Sequence, residues 1–474
     1  MSDKMKVRDG NDGYSYPYTS PDLVIDENGK SVKKRINEVE SKIKENGGAT
    51  IDDVNTSTDK TWSSSKIDSQ FKDSQEEIKN KKITNIIYQL IESKHELRDI
   101  NKFMANPPEI TVNQSSNSVI SANTYYNPNT ADVFTYPIGK MEKVGSSYPN
   151  DRMIRNSAVT TTKNNGNIIV EFSCNTDKFE LWCIGKAGKY RVMVDDDNAG
   201  YKYIYNSSEF IDLPPADGKV YHILHNFGEK KQRNIKIEIV NGFFGGVVLP
   251  TGDSITKALR KTKTSSVIVG DSYSENYNIG FARLCGELLD WDNNVSGVGG
   301  TGYVNPSSDS GRVKIFDRLD NDVISLNPNY VIFCAGINDA SYTDVATFKT
   351  NADSCFKKVL TGLPNAKVII VSPWWPHTPT ENILKFNAGL KDVALSNNLP
   401  YIDSLTGSIY LANGTSIMEN TGSWLYGNGN ENKFNPFGND SYYISSDNTH
   451  PNQAGYRYLA ERLALAIRTL IKKM

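Results

Sequence analysis

The sequence predicts an α/β domain with a parallel sheet over residues 256–474, preceded by a β-sandwich over 106–255 and a short coiled-coil region over 1–105. Three observations predict it. Apolar runs separated by helical periodicity fill the last part, alternation broken by Asn, Gly and Pro turns fills the middle, and apolar residues at heptad spacing mark the first. A chain of 474 residues holds about three folded units. Its net charge of −2 gives no field for gathering nucleic acid or an anionic membrane. No stretch reaches the ~18 apolar residues of a membrane span.

In the first region Val32, Ile36, Val39 and Ile43 repeat at coiled-coil spacing. A second seam starts at Ile67 and Phe71 and resumes through Ile83, Ile87, Leu90 and Leu97, with Lys94 at one seam position. Helices this short are marginal alone in water, so the stripe needs partners, and the expectation is self-association, as a homotrimer rather than a dimer. The opening MSDKMKVRDGNDGYSY has no apolar core of the length a secretory signal requires, so the expectation is a soluble product made in the cytosol. The cysteines number five, and Cys285, Cys334 and Cys355 lie in apolar contexts that read as small core residues, with no disulfide expected.

In the middle region NIIVEFSC, KFELWCIG, KYRVMVDD, YKYIYN, VYHILHNF and IKIEIVNGFF read as strands at short spacing, the pattern of an antiparallel sandwich. Asp195, Asp196 and Asp197, ahead of Asn198, Ala199 and Gly200, read as a hairpin turn rather than a calcium loop. His222 and His225 are three apart, on opposite faces of a strand, so they are not expected to share a metal.

The last region offers SSVIVG, NNVSGV, NYVIFCAG, AKVIIVSP and LPYIDS as strands, with helical patterns at Phe281, Leu284, Cys285, Leu288 and at Tyr458, Leu459, Leu463, Ile467, Leu470. Near-continuous apolar strands alternating with helices imply a parallel sheet covered on both faces. Such sheets carry their working residues just beyond the carboxyl ends of the strands. There stand Gly270, Asp271 and Ser272; Ser296 to Gly302; Gly336, Ile337, Asn338 and Asp339; and, before the last helix, Asp447 to Asn452.

These residue types are the parts of an acyl-transfer site: a nucleophile, a base, a group that orients the base, and donors for the developing oxyanion. Ser272, at a strand-to-helix turn after a glycine, is the candidate nucleophile. His450 is the candidate base, and Asp447, three residues earlier, is close enough to hold its tautomer. The amides of Ser272 and Gly300 and the side chain of Asn338 are candidate oxyanion donors. This chemistry needs no metal or cofactor. Gly252, Asp253, Ser254 repeats the first tripeptide, and Gly438, Asn439, Asp440 echoes the Asn-Asp element. Both read as decoys, because a basic linker follows one and no strand precedes the other.

GDSYSE, GVGGTG, GIND and DNTHPN resemble the four sequence blocks of the SGNH (GDSL-like) hydrolases, over roughly residues 262–474. The resemblance implies a serine esterase or acylhydrolase with a flavodoxin-like sheet. It implies Ser272 as nucleophile, His450 as base, Asp447 as acid, and Gly300 with Asn338 as oxyanion donors, Gly297, Gly299 and Gly302 being neighbouring alternatives to Gly300. A jelly-roll-like sandwich directly before such a domain is similar to carbohydrate esterase family two, whose members remove acetyl groups from polysaccharides. The first 105 residues resemble the attachment end of tail or baseplate proteins of phages infecting Gram-positive bacteria. That implies tail proteins as partners, a place in the virion, and action at the host cell surface.

Before Asp447 runs a loop of about 40 residues, beyond the ~12 to 15 at which an unstructured connection becomes unusual. Its Trp424, Tyr426, Phe434 and Phe437, with Trp374, Trp375 and His377 beyond the fourth strand, suit sugar faces better than an acyl chain. The expected function is removal of O-acetyl or similar small acyl groups from a bacterial surface polysaccharide. Competing expectations are a catalytically silent receptor-binding module and an esterase of D-alanyl-teichoic acid or lipid.

Overall fold

Alternation along residues 168–174 puts Ile168, Val170, Phe172 and Cys174 on one face of a strand, all fully buried in one hydrophobic core. A computed structural model describes residues 97–98, 107–157, 168–195, 204–205, 211–240, 242–260, 262–271, 280–308, 311–340, 344–426 and 443–474. The chain divides into the units Met1–Gln89 and Leu90–Met474, and all described residues belong to the second. The predicted seams up to Leu90 lie outside the described residues.

The first eleven strands are β1 (Glu109–Gln114), β2 (Asn123–Tyr126), β3 (Met141–Lys143), β4 (Ile154–Asn156), β5 (Ile168–Ile184), β6 (Lys189–Asp195), β7 (Ile204–Tyr205), β8 (Ile211–Asp212), β9 (Val220–Val240), β10 (Val247–Pro250) and β11 (Ser254–Thr256). Nine of them share one sheet, in the order β2-β10-β5-β9-β6-β7, with β1 on β9, β11 on β5 and β8 on β6; β3 and β4 form a separate pair. The sequence predicts two short strands where β5 stands and two where β9 stands. Each is one long strand instead. The polar stretches that read as turns pair with each other, Asn175 with Gln232 and Thr176 with Lys231, so their backbone groups are satisfied in the ladder. A bulge between Thr176 and Lys178 bends β5, and Phe172 meets Phe179 edge to face at 5.8 Å. His225 stacks on Phe179 at 4.5 Å inside this core, where burial pushes its pKa down to about 3 and keeps it neutral. His222 faces the other way, with its Nδ1 2.8 Å from Glu180.

The second sheet starts from β12 (Ser265–Gly270), α1 (Phe281–Leu289), β13 (Asp292–Gly297), α2 (Ile315–Asp322) and β14 (Tyr330–Cys334). It continues through α3 (Val345–Gly362), β15 (Lys367–Val371), α4 (Glu381–Ser396), β16 (Tyr401–Asp403), β17 (Ser408–Tyr410) and β18 (Ser416–Met418), and α5 (Gln453–Ile471) follows. The strand order is β13-β12-β14-β15-β16-β17-β18, the first five parallel. β17 and β18 add antiparallel strands within the stretch predicted as one loop. The chain leaves β12 in one direction to β13 and returns on its other side to β14. That reversal opens a crevice at the carboxyl ends of β12 and β14, the usual ligand position in an open α/β sheet.

The outward face of β6 and β9 is charged yet buried, because α1 covers it. Arg283 of α1 reaches Glu238 of β9 at 2.8 Å, and Arg191 of β6 reaches Glu287 of α1 at 2.5 Å. These two cations and two carboxylates compensate one another, and Lys236 of β9, also buried, lies 4.0 Å from Glu171. Removing any one of them would strand a charge and loosen the joint between the sheet and the helix that follows the Ser272 segment.

Candidate active site

The turn 443–452 is held on α5 before any catalytic group is considered. Tyr443 stacks on Tyr458 of α5 at 4.2 Å, its carbonyl accepts from the Asn452 amide, and the Asn452 side chain caps the helix at Gly455 N, 2.9 Å away. Within the turn Asp447 Oδ1 accepts from the Ser445 hydroxyl at 2.7 Å and from the amides of Thr449 and His450, both at 2.9 Å. Its Oδ2 lies 2.8 Å from His450 Nδ1. The hydrogen bond from Ser445, followed by those from the two amides and the ring, holds the Asp447 carboxyl well below the usual range, so it is ionised and the ring nitrogen facing it donates. In the neutral ring this tautomer leaves Nε2 as the nitrogen that can take a proton. Asp447 and His450 side chains remain 52% and 44% exposed, so the base is accessible. His377, beyond β15, donates from Nε2 to the Asn448 carbonyl at 2.7 Å and ties this turn to the strand rim.

At the carboxyl ends of β12 and β13 one buried guanidinium gathers the strand ends. Arg318 of α2 is 3% exposed. It donates to Gly270 O (2.7 Å), to Ser296 O (3.2 Å) and Oγ (3.1 Å), and to Thr301 Oγ1 (3.0 Å). Its charge faces Asp322 one turn along the helix, with Ser296 Oγ bridging to that carboxylate at 2.7 Å. Arg318 thus fixes the backbone two residues before Ser272 relative to the residue after Gly300.

The glycine loop 298–305 is anchored from the next strand. Asp339 is fully buried and accepts from the consecutive amides of Tyr303 (2.8 Å), Val304 (3.0 Å) and Asn305 (2.9 Å). Burial pushes its carboxyl above the ordinary range, and the three amides pull against that shift. Asn338, its neighbour, donates from Nδ2 to Thr301 O at 2.9 Å. Gly302 donates its amide to Asn305 O at 2.8 Å, so that donor is spent within the loop. Gly297 ends β13, paired with Gly270, and Gly300 has a φ of +75°, open to glycine at little cost. A Cβ on Gly302 would run into the Asp339 carboxylate. Gly302→Ala is therefore expected to destabilise the domain by about 1–3 kcal/mol, the usual scale for overpacking, and an unchanged melting temperature would refute the anchoring role.

Ser272 lies outside the described residues, as do Phe434, Phe437 and the decoy at 438–440. Of the aromatics expected at the rim, Trp374 and Trp424 are buried at 3% exposure, with Trp374 packed on Phe281 and 6.0 Å from Trp424. That places them inside the domain rather than on an open sugar platform. Trp375 and Tyr426 are half-buried against the main core. The decoy Asp253 is a turn residue of the first sheet, accepting from Thr176 Oγ1 at 2.6 Å and from Lys230. Arg318 and the anchoring role of Asp339 were missed by sequence reading. Arg318 did leave a signal: with Ile315, Leu319 and Asp322 it falls on the buried stripe of α2, where an i, i+4 Arg–Asp pair interrupts an apolar face.

Residues 251–458 match the family described as GDSL-like Lipase/Acylhydrolase. Among solved structures the chain is similar to a family two carbohydrate esterase from Cellvibrio japonicus, with 11% identity, 77% of this chain and 99% of that chain covered, and a TM-score of 0.48. It is similar also to an acetyl xylan esterase from the rumen bacterium Butyrivibrio proteoclasticus (12% identity, 74% and 99% covered, TM-score 0.46). A third is a salicylyl-acyltransferase from a tetracycline biosynthetic pathway (12% identity, 72% and 96% covered, TM-score 0.48). No curated protein matches the chain by sequence.

Proposed function

We propose, from the premise that residues 251–458 are the GDSL-like acylhydrolase domain of an esterase, that this enzyme removes O-acetyl groups from a bacterial cell-surface polysaccharide. The observation that carries the reading is the 2.8 Å contact of Asp447 Oδ2 with His450 Nδ1, on a carboxylate already ordered by two backbone amides. In the proposed reaction Ser272 Oγ attacks the acetyl carbonyl while His450 Nε2 takes its proton. The tetrahedral oxyanion is met by the amides of Ser272 and Gly300 and by the Asn338 side chain, one such donor being worth about 3 kcal/mol. His450 returns the proton to the departing sugar oxygen. Water, deprotonated by the same ring, then cleaves acetyl-Ser272 to acetate and restores the serine.

The choice of a sugar rather than an aliphatic substrate is supported by the half-buried Trp375 and Tyr426 and the exposed His377 beyond the strand ends. The wider reading is a phage tail component. It would be held as a trimer through the heptad seams, docked to tail proteins by residues 1–105, and would act at the host surface. The resemblance and the seam spacing of the sequence support it.

The test is product analysis after incubation with cell-wall and capsule fractions. Acetate from the wild type, and none above background from Ser272→Ala, is the expected result. Alanine or fatty acid in place of acetate would move the substrate to a teichoic acid or lipid ester. Release by Ser272→Ala at the wild-type rate would remove Ser272 from its role.

A further inference from the structure

The first sheet carries a second aromatic cluster on the face turned away from its main core: Met153, Trp182, Ile184 and Phe243, with Tyr125 packed against them. Tyr125 meets Trp182 edge-on at 5.4 Å and is fixed by its hydroxyl donating to Gly245 O at 2.7 Å. At the edge of this cluster Tyr148 is 54% exposed, its ring 6.2 Å from that of Trp182. Arg152 sits among all three rings, with its guanidinium carbon 5.4 Å from Tyr148, 5.6 Å from Tyr125 and 5.9 Å from Trp182. Lys186 lies 4.9 Å from the centre of Phe243 at the same cluster.

What separates Arg152 from other arginines of the chain is what its donors do. Arg155 donates to Glu142, Arg283 to Glu238, and Arg318 to carbonyls and hydroxyls. The Arg152 guanidinium makes no hydrogen bond or ion pair among the described residues; ring faces alone hold it. Asp151, its neighbour, acts through charge on Tyr125 and makes no ion pair with it. A polar atom below the rings is also unmatched: His222, the cross-strand partner of Trp182, has a buried Nε2 with no hydrogen-bond partner among the described residues. Arg152 is exposed, so these donors face solvent and can be offered to a ligand.

We propose that Tyr148 and Arg152, backed by Trp182 and Tyr125, form a glycan-binding site separate from the esterase crevice. The exposed phenol ring offers a flat surface to the C–H face of a pyranose. The guanidinium, already oriented by the rings, donates to sugar hydroxyl, ring or carboxylate oxygens without an ordering cost. Arg152 and Lys186 favour a glycan that carries uronic acid over a neutral one. The site does not depend on the esterase assignment, since it lies on the other sheet and uses none of the residues argued to act on the ester.

The experiment takes the full chain, labelled, to an array of neutral and uronic-acid-containing bacterial oligosaccharides, then measures the strongest binder by calorimetry. Arg152→Met and Tyr148→Ala are each expected to weaken that binding about tenfold, with the melting temperature and the hydrolysis of 4-nitrophenyl acetate unchanged. Ser272→Ala is expected to bind as the wild type does. No array signal from the wild type, undiminished binding by both variants, or equal binding to polyphosphate would overturn the site. None of those outcomes touches the acetate-release test.

Discussion

Replacing His450 by alanine is expected to lower kcat by about 10⁴-fold or more while leaving the domain folded, because the ring is exposed and packs no core. The sharper variant is Asp447→Asn. Asparagine can keep Oδ1 where it accepts from Ser445, Thr449 and His450, so the turn survives, and put its amide nitrogen where Oδ2 faced the ring. Two donors would then oppose each other unless the ring proton moved to Nε2, the nitrogen that has to act as base. A loss of about 10³- to 10⁴-fold follows from that wrong tautomer. Combining Asp447→Asn with His450→Ala should cost no more than His450→Ala alone, since the residues act as a unit. Additive losses would show that Asp447 works by some other route.

The pH behaviour has a definite sign. A carboxyl whose folded pKa is depressed stabilises the fold above its unfolded value and loses that contribution only as pH falls through the folded value. Asp447 is therefore a carboxylate, and its turn intact, across the range where an esterase is assayed. The acid limb of kcat/KM is expected to be a one-proton limb, and a two-proton limb would mean that Asp447 titrates there after all.

Replacing Arg318 by methionine is expected to be the most destabilising single change in the crevice. It removes the hydrogen bonds that Arg318 gives to Gly270 O, Ser296 and Thr301 and leaves the Asp322 carboxylate buried without that cation. Breaking a buried pair from one side costs about 3–5 kcal/mol, or on the order of 10 °C in melting temperature for a domain of this size. The double change Arg318→Met with Asp322→Leu separates two roles. Replacing both charges by apolar groups is expected to recover much of the stability. Activity should stay about 10²-fold low, because the strand ends flanking Ser272 and Gly300 lose their common anchor and small misplacements are costly. Recovery of kcat together with stability would reduce Arg318 to a structural residue.

Part of this molecule is legible in one dimension because its physics is local. The central parallel strands β12, β14 and β15 announce themselves as apolar runs, since a strand covered on both faces needs no polar residue on either, whereas the edge strand β13 reads DNNVSG. Asp447 and His450 are three residues apart, so a single turn suffices to join them, and the spacing alone states the contact. By contrast, β5 and β9 read as four strands because Asn, Asp, Gly and Lys suggest turns, and only pairing between distant segments keeps those residues extended. The burial of Trp374 and Trp424 was open in the sequence for a similar reason: aromatic residues serve cores and sugar sites equally well.

The sequence by itself determined the chemical types available at the strand ends, the period of the parallel sheet and the carboxylate–histidine turn, each a property of neighbours along the chain. Only the tertiary structure decided which polar groups are spent and which are left over. Arg318 is committed to three segments separated by up to 48 positions, Asp339 to the glycine loop, and Arg152 to ring faces alone. The reason is physical: a buried donor or acceptor must find its partner wherever the fold brings one, and that partner is a fact about space rather than about spacing.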